Sequence, residues 1–377
     1  MPPAPQDPWL LTPGPLTTTD ETKRAMLHDW GSRDATFIET NQRVRDRLLA
    51  IAEAEDSHVC VPLQGSGTFV VEAAIATLLP TDGKALVLIN GAYGKRMVSI
   101  LEYLGRAYVT LETPEDVPPA AADVEELLTS DPDITHVLVV HCETTSGILN
   151  PIEEIAGVVA GHERSLIIDA MSAFGAIPLS AKGVRFDAVM ASSNKCLEGV
   201  PGMGFAIIRK SVLEASQGNA HSLSLDLYDQ WVSMEKTKQW RFTPPTHVIV
   251  AFDKAIEQFE AAGGVDGRNA RYRNNARTLI DGMREMGFET LLSDNLQAPI
   301  IITFKMPGDA RFDFQGFYDA LKDKGFVIYP GKLTVAPSFR MGCIGALGED
   351  EMKGALRAVT ETMDTMGVPS GAPAEDS

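Results

Sequence analysis

The chain has 377 residues, 44% hydrophobic and 22% charged, an ordinary globular composition with enough chain for two cored domains. A formal net charge of −18 argues against nucleic acid and anionic membranes as partners, so an anionic ligand needs a local positive site working against the overall field. No apolar run approaches the ~20 residues of a membrane span, and four cysteines and seven histidines without paired or metal-ligand spacing suggest free thiols, no metal and a reducing, cytoplasmic setting.

Residues 1–7 are Pro-rich and read as loosely held, with no basic region or apolar signal core that would point to export. From about Gly65 to Lys210, short apolar runs alternate with helical patterns. Strands are expected over 85–90, 107–112, 135–141, 166–169, 188–191 and 204–208. Helices are expected between them, over 68–78, 95–103, 122–129 and 152–160. This alternation argues for an α/β fold with a mainly parallel sheet covered on both faces. Ligands of such sheets bind at the carboxyl ends of the strands. From about Val248 the pattern changes to a long helix over 269–286, short strands over 299–304 and 326–328, and a closing helix over 350–366. That reads as a smaller α+β domain. The expected division is an arm over 1–15, a large domain over 16–250, a small domain over 251–366 and a disordered tail over 367–377.

The chemistry concentrates at the expected strand ends. Ser165-Leu166-Ile167-Ile168-Asp169 is a buried-strand pattern closing on one carboxylate, and Ser192-Ser193-Asn194-Lys195-Cys196 places a lone lysine in a small, polar turn downstream. Taken singly, Asp169 reads as a solvated strand end and Lys195 as a surface lysine. Taken together, they match what pyridoxal phosphate requires: an amine for a covalent link and an acid for the pyridine nitrogen. The Gly199–Gly204 turn lets Lys195 reach into a pocket rather than lie along a helix.

Gln64-Gly65-Ser66-Gly67-Thr68 reads as a capped helix start or as a phosphate cradle, because glycines admit an anion to the free N–H groups of a helix. Neither a P-loop nor a dinucleotide fingerprint is present. The hydroxyl cluster Thr144-Thr145-Ser146 fits turn chemistry or donation to a cofactor oxygen. Arg340, in an apolar stretch, reads as a structural ion pair or as a fork for an acidic substrate.

These stretches, with Leu11-Thr12-Pro13-Gly14-Pro15, Asn90-Gly91-Ala92-Tyr93-Gly94, Trp240-Arg241-Phe242-Thr243 and Val327-Ile328-Tyr329-Pro330-Gly331-Lys332, resemble the fold-type I, class V aminotransferases over nearly the whole chain. Within them, the chain resembles the branch that moves the amine of 2-aminoethylphosphonate to pyruvate. The resemblance implies a seven-stranded, mainly parallel sheet, pyridoxal 5'-phosphate as cofactor, and a homodimer with shared active sites. It implies Lys195 as the covalent and acid/base lysine and Asp169 as the partner of the pyridine nitrogen. Ser66, Gly67, Thr68 and Asn194 would hold the phosphate, and Thr144 would donate to the phenolate oxygen. Tyr93 would lie against the ring. Thr243, with Trp240, would reach the neighbouring subunit's cofactor. Arg340 would bind the acidic end of each substrate. The rivals are a related class V enzyme with another amino donor, and a lyase or desulfurase, which needs a cysteine on a mobile loop that neither Cys196 nor Cys343 evidently supplies. From outside enzymology, a non-catalytic anion-binding protein remains.

Overall fold

The structure is a computed structural model that describes residues 7–333 and 336–374. Seven strands form its central sheet: β1 (His58–Gln64), β2 (Lys84–Ile89), β3 (Ala107–Glu112), β4 (Ile134–Val140), β5 (Ser165–Asp169), β6 (Ala188–Ser192) and β7 (Met203–Arg209). Their spatial order is β1-β7-β6-β5-β4-β2-β3. Only β7 runs against its neighbours, so the sheet is mainly parallel. The strands from β4 to β6 are near-continuous Val, Ile, Leu and Ala, as two covered faces demand.

Helices cover those faces. α1 (Ala35–Ile51) lies on one side, while α2 (Gly67–Leu78) and α3 (Ala92–Leu104) lie on the other. α4 (Ala121–Ser130) and α5 (Ile152–Gly161) join the α1 face through Val124, Leu128, Ile155 and Val159. α6 (Leu227–Thr237) follows on the α2 face. The sequence pattern did not reveal β1, α1 or α7 (Thr246–Ala261). Ile249, Phe252, Ile256 and Phe259 of α7 belong to the sheet's own core. A division after residue 250 would therefore cut through a helix whose apolar face belongs to the large domain's core.

A second layer holds the rest. α8 (Gly264–Glu285), α9 (Phe314–Asp323) and α10 (Glu349–Met366) enclose a core with three antiparallel strands, β8 (Ile301–Lys305), β9 (Tyr329–Pro330) and β10 (Ser338–Gly342). The N-terminal arm belongs here too: Trp9–Leu10 pairs in parallel with Phe326–Val327, and Leu11 is fully buried. The expected disordered tail is a correction. Val368 is buried, the Gly371 amide donates to the Met286 carbonyl, and Gly308 donates to that of Ala372. Small residues there read as disorder, but Gly371 lies against Phe288 where no side chain would fit. Residues 1–6 and 375–377 of the arm and tail lie outside the described residues.

Candidate active site

A parallel sheet puts its strand ends on one edge, and here that edge is the site. Asp169 closes β5, Ser192 closes β6, and Lys195 stands in the turn from β6 to β7. β4 runs out into Cys142–Glu143, and Gln64 ends β1 just before the Gly65–Thr68 segment. Ladder bonds continue to the edge, with the His141 amide donating to the Asp169 carbonyl and the Ala170 amide to that of Met190. A cavity of about 560 Å³ opens there, lined among others by Ser66, Gly67, Thr68, Tyr93, Thr144, Asp169, Asn194 and Lys195. Eight of the sequence-derived candidates therefore share one wall, although they come from five separate stretches of chain.

Burial sets the protonation. Asp169 is almost fully buried, and burial pushes its carboxyl up to about 6. The Met171 amide, donating to its Oδ1 at 2.9 Å, works against that rise, the Glu143 charge adds to it, and Arg96 and Lys195 oppose it. The Lys195 ammonium falls to about 8, chiefly through desolvation, with the charges of Arg96 and Lys332 pushing the same way. Its Nζ donates to the carbonyls of Pro13 at 2.6 Å and Gly14 at 3.1 Å. The arm thus closes over the lysine. Gly14 has φ +101°, and a Cβ there would come within 2.6 Å of Lys195 Cδ. Only glycine fits both the backbone and the approach.

The helix start at the other end suits an anion. Ser66 takes the N-cap position of α2 without capping it through its side chain, leaving the hydroxyl for a ligand. A Cβ on Gly67 would meet Met171 Sδ at 2.7 Å, so any side chain there would have to displace Met171. The Ser192 hydroxyl also lines the cavity, buried and without a partner among the described residues.

Glu143, directly before the Thr144-Thr145-Ser146 hydroxyls, is a further participant. It is fully buried, and burial raises its carboxyl. It accepts from the Tyr93 amide at 3.1 Å, the Thr145 amide at 3.0 Å and Thr145 Oγ1 at 2.7 Å. It therefore caps α3 from a distant loop, an anion at the positive end of a helix, and so fixes Tyr93 and Arg96 against the cavity. Gly91 permits this, since a Cβ there would stand 2.4 Å from Glu143 Cδ. The signal was present as a carboxylate beside hydroxyls, but its partner lies some fifty residues away.

The other candidates lie outside the cavity wall. Arg340 is buried in β10, donating through Nη1 to the Thr144 carbonyl at 2.7 Å and through Nε to that of Pro330 at 3.1 Å. It stands behind Thr144, which does line the cavity. Trp240 packs on the large core and donates to Asn41 Oδ1 at 2.7 Å, while Thr243 is exposed. Neither touches this chain's own cavity.

A buried lysine and carboxylate below a helix-start cradle, on a seven-stranded mainly parallel sheet, define the fold-type I aminotransferase class. Residues 23–358 match the family described as Aminotransferase class-V, and the chain belongs to that family. It is 56% identical over 361 residues to the 2-aminoethylphosphonate–pyruvate transaminase of Pseudomonas putida, covering 96% of this chain and 98% of that one. A relative of the same name from Cupriavidus pinatubonensis is 55% identical over 362 residues, covering 96% of each. Among solved structures, pyridoxamine–pyruvate aminotransferase from Mesorhizobium loti superposes with a TM-score of 0.87 at 26% identity, covering 98% of this chain and 96% of that one. Ureidoglycine–glyoxylate aminotransferase from Bacillus subtilis, at 19% identity and a TM-score of 0.89, shows the same fold over 100% of this chain and 97% of that one.

Proposed function

We propose that this protein transfers the amine of 2-aminoethylphosphonate to pyruvate, giving phosphonoacetaldehyde and L-alanine, with pyridoxal 5'-phosphate as cofactor. The observation that carries the reading is the desolvated Lys195 amine in the same cavity as buried Asp169 and the Ser66–Thr68 helix start. The relatives' shared name selects the substrates from the wider class.

The donor set fits the cofactor. Ser66, Gly67, Thr68 and Asn194 would hold its phosphate, Thr144 would donate to its phenolate oxygen and Tyr93 would lie against the ring. When bound, the cofactor supplies an electrophilic carbon and an electron-withdrawing ring. The protein supplies the rest. Lys195 loses its proton near pH 8, so much of it is a neutral nucleophile under mildly basic conditions, and its Nζ then carries a proton on and off the reacting carbon. Asp169, ionised above about 6, keeps the pyridine nitrogen protonated. The arm carbonyls of Pro13 and Gly14 hold Nζ in place and keep water from it. Arg340 would bind the acidic end of each substrate, for two of a guanidinium's five N–H donors are spent on carbonyls. Both half-reactions use one site, so ping-pong kinetics are expected.

A homodimer follows from the same reading. Thr243 is exposed next to Phe242, itself 49% exposed, and Phe69, directly after Thr68 of the cradle, is 50% exposed. A second copy would cover these apolar groups and bring Trp240 and Thr243 to the partner's cofactor. The buried free thiols are consistent with a reducing, cytoplasmic setting, and no described helix is long and apolar enough to cross a membrane. The test is spectroscopic: the protein loaded with pyridoxal phosphate should lose its visible absorbance on adding 2-aminoethylphosphonate and regain it with pyruvate. Serine or β-alanine should do this far less well. A protein that stays colourless with the cofactor, or a Lys195→Ala variant that still exchanges amines at the wild-type rate, would overturn the assignment.

A further inference from the structure

Tyr93 is flanked by two cations. Lys332 Nζ lies 4.5 Å from its ring centre and the Arg96 guanidinium carbon 4.8 Å. The two are engaged differently. Arg96 donates to Thr68 Oγ1 at 3.1 Å, which ties it to the phosphate cradle. Lys332 is partly buried, and among the described residues it has neither an ion-pair nor a hydrogen-bond partner; its ammonium packs against the ring. Its charge adds to the lowering of Lys195, which lines the same cavity as Tyr93.

Lys332 lies just after β9, and Arg340 lies in β10, which pairs with β9: Arg340 sits opposite Tyr329 and donates to the Pro330 carbonyl. The guanidinium lies 5.9 Å from the Tyr329 ring centre, and Tyr93 also acts on its charge. Lys332 therefore packs on a ring that lines the cavity, while Arg340 stands on the neighbouring strand against Tyr329. The two substrates need different things from such a pair. A carboxylate carries one charge on two oxygens. A phosphonate has three oxygens and a second ionisable proton, whose loss makes it a dianion. One cation suffices for the first and leaves the second half-neutralised in a dry site.

We propose that Lys332 is the residue that reads the phosphonate, supplying the second positive charge that a carboxylate substrate does not require. Arg340 grips either acid; Lys332 sets the preference for aminoalkylphosphonate over amino-acid donors. This rests on the transaminase reading above.

The test compares holoenzyme of wild type, Lys332→Gln and Lys332→Arg. The half-reaction is followed by absorbance with 2-aminoethylphosphonate and separately with L-alanine. Binding of the unreactive ethylphosphonate and propionate is measured by calorimetry. Lys332→Gln should weaken both phosphonates by about 10- to 100-fold, the worth of one charge-assisted bond. Alanine and propionate should change by less than about threefold, and Lys332→Arg should recover most of the phosphonate loss. Equal losses on both acid types, no loss on either, or an arginine variant as poor as the glutamine one would overturn the assignment while leaving the transaminase reading intact. A wild-type enzyme that turns over no 2-aminoethylphosphonate would bring down both.

Discussion

Gly14→Ala tests the idea that the N-terminal arm governs the reactive lysine. At φ +101° an alanine is strained, costing roughly 1–2 kcal/mol. Its Cβ would also stand 2.6 Å from Lys195 Cδ, 2.9 Å from Lys195 Nζ and 2.9 Å from the Asn194 carbonyl oxygen. Crowding of that kind costs about 1–3 kcal/mol. The arm cannot simply swing away. Leu11 is buried in the second core, Thr12 is 2% exposed and Leu16 is 6% exposed, so both sides of Gly14 are anchored. The strain therefore falls on the lysine and on its bonds to the Pro13 and Gly14 carbonyls. The sum is a loss of roughly 2–5 kcal/mol, read by urea denaturation of the cofactor-free protein. Losing two acceptors for the ammonium should also lower the Lys195 titration below its present value of about 8. That is measured as the pH midpoint of pyridoxal phosphate uptake. Gly157→Ala is the control: it lies exposed in α5, a Cβ there meets nothing within 4 Å, and the change should stabilise by about 0.5–1 kcal/mol. If Gly14→Ala matched wild type in both stability and uptake, the arm would have no hold on Lys195.

Three further outcomes are expected. Burial lowers His136 and His141 from 6.5 to about 4, so the unfolded chain takes up their protons first; stability complete above pH 6.5 should drain as pH falls toward 4, by roughly 3 kcal/mol for each ring. Asp169, raised from 3.8 to about 6, acts oppositely in part of that window, as does Glu143, so the measured slope of cofactor-free stability against pH should be shallower there than the histidines alone would give. Because the folded state must ionise Asp169 at a cost above pH 6, Asp169→Asn should stabilise the cofactor-free protein at pH 7 by up to about 3 kcal/mol, lose that gain at acid pH and sharply slow proton removal in the loaded enzyme. Calorimetric scans at two pH values with single-turnover rates would check it, and unchanged rates would assign the ring contact elsewhere. Glu198→Ala should cost about 3–5 kcal/mol, because Glu198 pairs with buried Arg268 at 3.1 Å and with Arg271, and accepts from Tyr272 at 2.6 Å. The same residue donates its amide to the Lys195 carbonyl at 2.8 Å, so cofactor retention should fall along with the thermal midpoint.

The chain's local chemistry was legible in the sequence wherever one short stretch contained the whole signal. Apolar runs predict β2 to β7 to within a residue or two at each end; apart from the half-exposed edge strand β3, these strands are buried on both faces and have to be apolar throughout. Asp169, Lys195 and the Gly65–Thr68 helix start could be read for the same reason, since a lone charge after such a run needs a purpose. The parallel register then gathers them, as it must, on one edge. Other features depend on partners far away in the chain. α1 and α7 hide because their apolar faces are matched to each other and to the sheet, and the tail reads as disordered because nothing local announces Phe288 and Met286 beneath it. Trp240 and Thr243 border no part of the strand-edge cavity, and nothing in their own stretch says what they face. Composition and spacing thus determined which groups could do chemistry. Tertiary structure alone decided their charge states, through burial at the strand ends, and decided that the Pro13–Gly14 carbonyls, the Glu143 cap and the Lys332–Tyr93–Arg96 stack surround them, because each of those contacts closes a loop of chain that no local pattern records.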